Sequence, residues 1–310
     1  MNWLSPPRVR GVLRVGSALL GLGVTGWLLA TLWPEADRVA QGAPPSAEQP
    51  ETLAPFPEAP VTVLVIGLDS DRLGAPSNQA APNGPANADA LLMLRIASEE
   101  PLQVLQIPTE LGIQLPGQKD PGSLGQLWRR GGVSLVSDAI RDIVGLSEGE
   151  PKRYVVMPRA ALRRLVDGLG NVEVVLGQSY QRKDKTQNFS VNLQAGRQLL
   201  NGAQAEQLVR HLPDPKGVSQ RRQRQDIFVS AVIEQVKAPS GIGVIPDLVA
   251  QLDAELETNL SRTEQLSLAA AIIASPEPVA ISRLPLADRA GEQTLRQIKP
   301  DVSRPLWPQL

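Results

Sequence analysis

Arg221, Arg222 and Arg224 fall within four positions of the stretch VSQRRQRQDIF, residues 218–228. Guanidinium groups at that density serve as a nucleic-acid patch, a solvated helix face or a pocket for an anion. On a helix over 219–237, at roughly 100° per residue, Phe228 centres an apolar face shared with Val232, Gln235 and, slightly further round, Ala231. On the same wheel Arg221 lies roughly 20° from that centre, Arg224 about 40° to the other side and Gln225 about 60° away. Arg222 and Gln223 point off the face and are expected in solvent. A guanidinium does not shed its proton, so two of them on a buried stripe need carboxylates or an anion such as phosphate. Periodicity alone is equally consistent with a solvated helix start. Arg210 closes another helical segment, NGAQAEQLVRH (201–211), but Pro213, Pro215 and Gly217 make the connection a loop, and spacing does not force Arg210 towards Arg221. His211, the single histidine, reads as an exposed or capping residue rather than a catalyst.

The rest of the 310-residue chain narrows these uses. Its 31 Lys+Arg against 32 Asp+Glu and pI near 6.0 argue against a dedicated nucleic-acid binder. The absence of cysteine excludes disulfides, cysteine-ligated zinc and a cysteine nucleophile. Residues 15–33 carry no charge over 19 positions, the length of a transmembrane helix. Arg8, Arg10 and Arg14 precede them while Glu35 and Asp37 follow, which keeps residues 1–14 cytoplasmic and exports the remainder. A cleaved signal peptide fits less well, because its apolar region is normally shorter and the small residues around Ala40 to Ala43 lie far beyond it. Residues 34–60, rich in Pro, Ala, Glu and Gln, are expected to be a disordered linker.

The folded region starts at VTVLVIG (61–67), an unbroken apolar run of the kind buried on both faces of a sheet. Strands are expected over 90–96, 102–108, 153–157, 172–176 and, at an edge, 279–285. Helices are expected over 133–146, 160–170 and 244–275. This alternation is that of a layered α/β domain. It spans 61–290, and a polar, proline-punctuated tail of doubtful order follows over 291–310.

LQAGRQLLNGAQAEQLVR (193–210) followed by RRQRQ (221–225) resembles the LytR–CpsA–Psr family, whose members show G-x-x-x-L-N-G-x-x-A leading to an Arg and then R-x-x-R-Q. Gly196, Leu200, Asn201, Gly202 and Ala205 match the first motif, and Arg210, Arg221, Arg224 and Gln225 the rest. LVDGLGNVEVVL (165–176), VLVIGLDSD (63–71) and LQVLQIP (102–108) resemble three further family segments, so the likeness covers roughly 61–236. It implies an α/β/α domain with a central mixed sheet behind a membrane anchor, in the cytoplasmic membrane and facing outward. It also implies transfer of a glycopolymer from a polyprenyl-pyrophosphate lipid to a cell-wall acceptor such as peptidoglycan. Arg210 and Arg221 would be catalytic, and Arg224, Gln225 and Arg72 would join them on the pyrophosphate. Mg²⁺ or a similar cation would sit on Asp69 and Asp89. These two carboxylates flank successive strand ends, and hard oxygen ligands there suit such an ion.

The sequence departs from the family at several of these positions. Thr109 stands where the IPRD motif carries Arg, and Leu212 where VRxR carries its second Arg. Asp89 alone survives from RSDT, an aspartate expected a few residues after Arg210 falls at Val218, and the arginine of GxDxR is shifted to Arg72. Arg72, Arg129 and Arg130 are candidates to compensate. The alternative is therefore a catalytically degenerate scaffold that binds polyprenyl phosphates.

Overall fold

The computed structural model describes residues 49–75, 84–185, 189–212, 218–288 and 294–308. The expected anchor at 15–33 lies outside them. Among the described residues no single helix is long and apolar enough to cross a membrane.

Alternation along Val61–Leu68 explains why that strand carries no polar face. Leu64, Ile66 and Leu68 turn to one side, where Val136, Ile140 and Val144 of the Trp128–Val144 helix pack on them. Val63 turns to the other side with Leu268 and Ala271 of the Arg262–Ala274 helix. Val229 and Ile233 of the Val218–Lys237 helix also cover that second face. Both faces being apolar, the strand is buried between two helical layers.

The sheet is mixed, in the order Glu257–Thr258, Arg153–Met157, Val61–Leu68, Ala88–Ile96, Gln103–Ile107, Ala280–Arg283. Val61–Leu68 runs parallel to Arg153–Met157 and antiparallel to Ala88–Ile96, while the Ala280–Arg283 edge is parallel to Gln103–Ile107. A second core joins the Arg159–Gly168 and Gly202–Arg210 helices to two antiparallel ribbons, through Val166, Val174, Leu193, Leu208 and Phe228. The ribbons pair Val172–Leu176 with Gly196–Leu200, and Tyr180–Asp184 with Phe189–Leu193.

Three expectations change. The helical region over 244–275 divides into Pro239–Leu252 and Arg262–Ala274, because Ser261 caps the second helix reciprocally with Glu264. The linker gives way to the domain before Val61, since Ala54 is buried and Phe56 packs against the Val63 cluster. Over 294–308 the chain packs on the domain, where Leu306 N bonds Val144 O at 2.7 Å and the Trp307 side chain is fully buried beside the Trp128–Val144 helix. A proline-rich segment has no periodicity to announce that anchoring. Trp307→Ala is expected to cost about 3–5 kcal/mol, measured by urea unfolding followed by circular dichroism; a loss under about 1 kcal/mol would place the strap outside the cooperative unit.

Candidate functional site

The strand Val61–Leu68 ends in Asp69-Ser70-Asp71, and this corner is locked to the helix that follows Pro158. Arg159 N donates to Ser70 O and Ala160 N to Asp71 O, each at 3.0 Å. Arg159 and Arg163 stand one turn apart on that helix, so their side chains lie on one side. The Gly202–Arg210 helix faces them, its start capped by the Asn201 side chain, which accepts from Gln204 N. A Cβ at Gly202 would lie 2.3 Å from Arg163 O, so glycine permits the approach of the two helices. Gly202 N also donates to Asp167 Oδ1 at 2.7 Å.

That approach delivers Glu206 between the arginines. Its carboxylate, 8% exposed, accepts from Arg159 Nη1 at 2.7 Å, Arg163 Nη1 at 2.5 Å and Arg210 Nη1 at 2.5 Å. Burial alone would raise this carboxyl's pKa, but the hydrogen bonds from Arg159 and Arg163 outweigh it and hold the group below its ordinary range. Arg163 Nη2 reaches on to Asp71 at 2.7 Å, Arg159 Nε to the Asp69 carbonyl at 2.9 Å, and Arg210 lies over the Phe189 ring.

The Val218–Lys237 helix closes the arrangement. Arg221 Nη1 donates to Asp89 Oδ1 at 2.8 Å, and its buried Nε has no hydrogen-bond partner among the described residues. Gln225 lines the same cavity. Arg224 is placed elsewhere: 2% exposed and above the Tyr180 ring, it donates to the carbonyls of Leu208 and His211. It thus braces the end of the Gly202–Arg210 helix. Arg222, expected in solvent, lines the cavity and lies 3.2 Å from Glu110. The loop after Gln103–Ile107 covers that side of the helix, which a wheel centred on Phe228 does not register. Asp69 accepts from Asn87 N and Nδ2 at 2.7 and 3.1 Å, and Arg129 Nε donates to Asn87 Oδ1 at 2.8 Å. Thr109 also lines the cavity, and the Leu212 carbonyl accepts from Arg182.

The cavity holds about 300 Å³ and changes character along its length. Asp69, Asp89, Arg159, Glu206, Arg210 and Arg221 gather at one end. Gln106, Thr109, Glu110, Arg222 and Gln225 also line the cavity, and the remaining lining is apolar, with Leu94, Leu102, Val236 and Ile272 between sheet and helices. Arg72 instead lines a separate polar groove beyond Arg163 and Asp71. Sequence reasoning missed Arg159, Arg163 and Glu206. Their one signal is the i,i+4 spacing of Arg159 with Arg163 and of Glu206 with Arg210, which ordinary solvated helix faces share.

The profile of the LytR_cpsA_psr family matches residues 37–301. The chain belongs to that family. It is 20% identical over 214 residues to the polyisoprenyl-teichoic acid–peptidoglycan teichoic acid transferase TagV of Bacillus subtilis, covering 67% of this chain and 52% of that relative. It is 24% identical over 239 residues to the probable cell wall biosynthesis protein LcpB of Corynebacterium glutamicum, covering 74% and 53%. The chain thus spans about half the length of these two relatives. Among solved structures, B. subtilis TagV superposes with a TM-score of 0.62 at 18% identity, covering 79% of this chain and 92% of that one. TagT bound to LIIa-WTA gives 0.57 at 23% identity, covering 78% and 84%. At such identities the likeness establishes the fold, a mixed α/β domain of this family.

Glu206→Leu would leave three guanidiniums around an apolar side chain. It is expected to destabilise the domain by about 3–5 kcal/mol in chemical denaturation, and a neutral outcome would show that the cluster is not held by this carboxylate. A second expectation concerns pH. Burial first, then the Arg224 and Arg182 charges, depress the pKa of His211 below 6.5. The unfolded chain therefore protonates before the folded one, so this contribution is complete above pH 6.5 and shrinks as pH falls below it. Thermal unfolding from pH 7.5 to 5.5 should show that decline in the native chain and a flatter profile in His211→Gln.

Proposed function

We propose that this protein is a cell-envelope transferase that moves a glycopolymer from a polyprenyl-pyrophosphate carrier to a cell-wall acceptor such as peptidoglycan. The observation that carries the reading is the cavity's division: a guanidinium cluster at one end and an apolar channel behind it, the shape of a lipid whose head is anionic. Family membership and relatives named as teichoic acid transferases support it. Residues 15–33 would anchor the chain in the cytoplasmic membrane, with the domain outside it.

In this reading Arg210, Arg221 and Arg159 bind the diphosphate, with the unpartnered Arg221 Nε and Gln225 as further donors. The acceptor hydroxyl oxygen bonds to the phosphorus that carries the glycopolymer. The bond from that phosphorus to the bridging oxygen breaks, and the lipid phosphate leaves with the charge. Fixed guanidiniums stabilise that charge with no reorganisation at the moment of reaction. The prenyl tail stays against Leu94, Val236 and Ile272, which excludes water.

Mg²⁺ or a similar ion fits the residues present. Asp69 and Asp89 both line the polar end and bring the hard carboxylate oxygens that such an ion takes. Among the described residues no three or more His, Asp or Glu side chains cluster to hold a metal unaided. Mg²⁺ commonly takes one or two carboxylates and completes its shell with phosphate and water. Charge supports the same conclusion: the ion pairs set four arginines (159, 163, 210, 221) against three carboxylates (71, 89, 206), less net positive charge than a diphosphate carries negative. A cation held by Asp69 and Asp89 would supply the difference.

Thr109 and Leu212 favour a second reading, a scaffold that binds the lipid without turning it over. The full chain, incubated with Mg²⁺, a lipid-linked oligosaccharide and peptidoglycan, should release polyprenyl phosphate. Arg221→Ala and Arg210→Ala should each slow release by about 10²–10³-fold. Lipid binding that weakens in Arg221→Ala, with no release by the native chain, would instead establish the scaffold.

A further inference from the structure

The groove beyond Arg163 has no part in the lipid cavity described above. It holds about 780 Å³, within the range of small-ligand sites, and its polar wall carries Asp71, Arg72, Arg163, Arg164, Asp167 and Glu255. The two spaces lie on opposite sides of the Arg159–Gly168 helix. Leu162 and Leu165 face the cavity, while Arg164, Asp167 and Gly168 face the groove. They come together at the helix start: Pro158 lines both, and Arg163 gives one amino group to Glu206 and the other to Asp71. Arg159 Nη2 also lies 3.8 Å from Asp71.

The groove differs from the cavity in its lining, which carries no run of large apolar side chains like Leu94, Leu102, Val236 and Ile272. Its guanidiniums are matched by carboxylates, with Arg163 on Asp71 at 2.7 Å and Arg164 on Glu255 at 2.6 Å. What remains is a nearly neutral surface dense in donors and acceptors, with Gln251 and Ala254 exposed at the far rim. A second prenyl lipid would find no apolar channel there, and a nucleic acid no excess positive charge. A chain of sugars, neutral over most of its length and hydroxylated throughout, suits it.

We infer that this groove is the acceptor subsite, taking a glycan strand whose attacking hydroxyl is presented at the Asp71–Arg163 pair. The inference rests on the transfer reading and adds where the second substrate lies. Arg163 Nη2 fixes the Asp71 carboxylate at 2.7 Å, and that carboxylate would accept a hydrogen bond from the hydroxyl. As the new oxygen–phosphorus bond forms and the bond to the lipid phosphate breaks, the hydroxyl proton passes to the released phosphate.

The test measures binding of two probes to the full chain in detergent: a tetrasaccharide of alternating N-acetylglucosamine and N-acetylmuramic acid, and geranylgeranyl diphosphate. Ala254→Trp and Gln251→Trp fill the groove from its exposed rim without touching an ion pair. Each is expected to weaken tetrasaccharide binding at least tenfold while the diphosphate's affinity stays within twofold. Tetrasaccharide binding that is absent in the native chain, equal in all three proteins, or lost together with diphosphate binding overturns the inference. Release of polyprenyl phosphate, assayed in parallel, separates the two readings. Release with unaltered sugar binding sinks the subsite and leaves the transferase standing; groove-dependent sugar binding without any release does the reverse.

Discussion

One buried carboxylate organises the site. Glu206 is shared by Arg159, Arg163 and Arg210. A buried anion must be compensated, and three mutually repelling guanidiniums must have an anion between them. Each requirement meets the other, but only if two helices come close enough. Gly202 and Asp167 secure that approach, the first by lacking a Cβ and the second by receiving the Gly202 N–H. The asparagine-glycine pair at 201–202 is therefore a device for packing: Asn201 starts the helix and Gly202 sets its distance from the Arg159–Gly168 helix.

From this centre the interactions run outward. Arg163 carries the network to Asp71, Arg159 carries it to the backbone of Asp69, and both reinforce the corner where the central strand leaves the sheet. Asp69 and Asp89 consequently sit at one end of two adjacent antiparallel strands, across from Arg221 on the closing helix. The result is a polar end fixed by elements from both cores, open on one side to an apolar channel and adjoining the neutral groove on the other. The proposed transfer, from a donor with an anionic head to a hydroxylated acceptor, would place those two demands on one site.

The framework was legible in the sequence because it depends on patterns of burial. Val61–Leu68 announced itself by lacking a polar face, and Arg153–Met157 and Val172–Leu176 fell where β-branched runs placed them. The α/β/α layering and the depth of Arg221 followed from the same signals. The fine structure of the site was less legible. Arg159, Arg163 and Glu206 read as the solvated faces of two short helices, since pairing between helices distant in sequence leaves no trace in either one. For the same reason the roles of Arg222 and Arg224 differ from expectation. A wheel gives direction relative to one face, but it cannot show that Glu110 waits on another, or that carbonyls of Leu208 and His211 occupy the space beside Arg224. Trp307 was hidden among prolines with no period to mark it.

The central claim is that the Glu206-anchored arginines form the seat of a lipid diphosphate. A structure of the chain with geranylgeranyl diphosphate and Mg²⁺ tests it most directly. The account expects diphosphate oxygens about 2.7–3.2 Å from Arg159, Arg210 and Arg221, with the prenyl chain running past Leu94 towards Ile272. A ligand bound elsewhere, with the Glu206 cluster intact and unengaged, would contradict it.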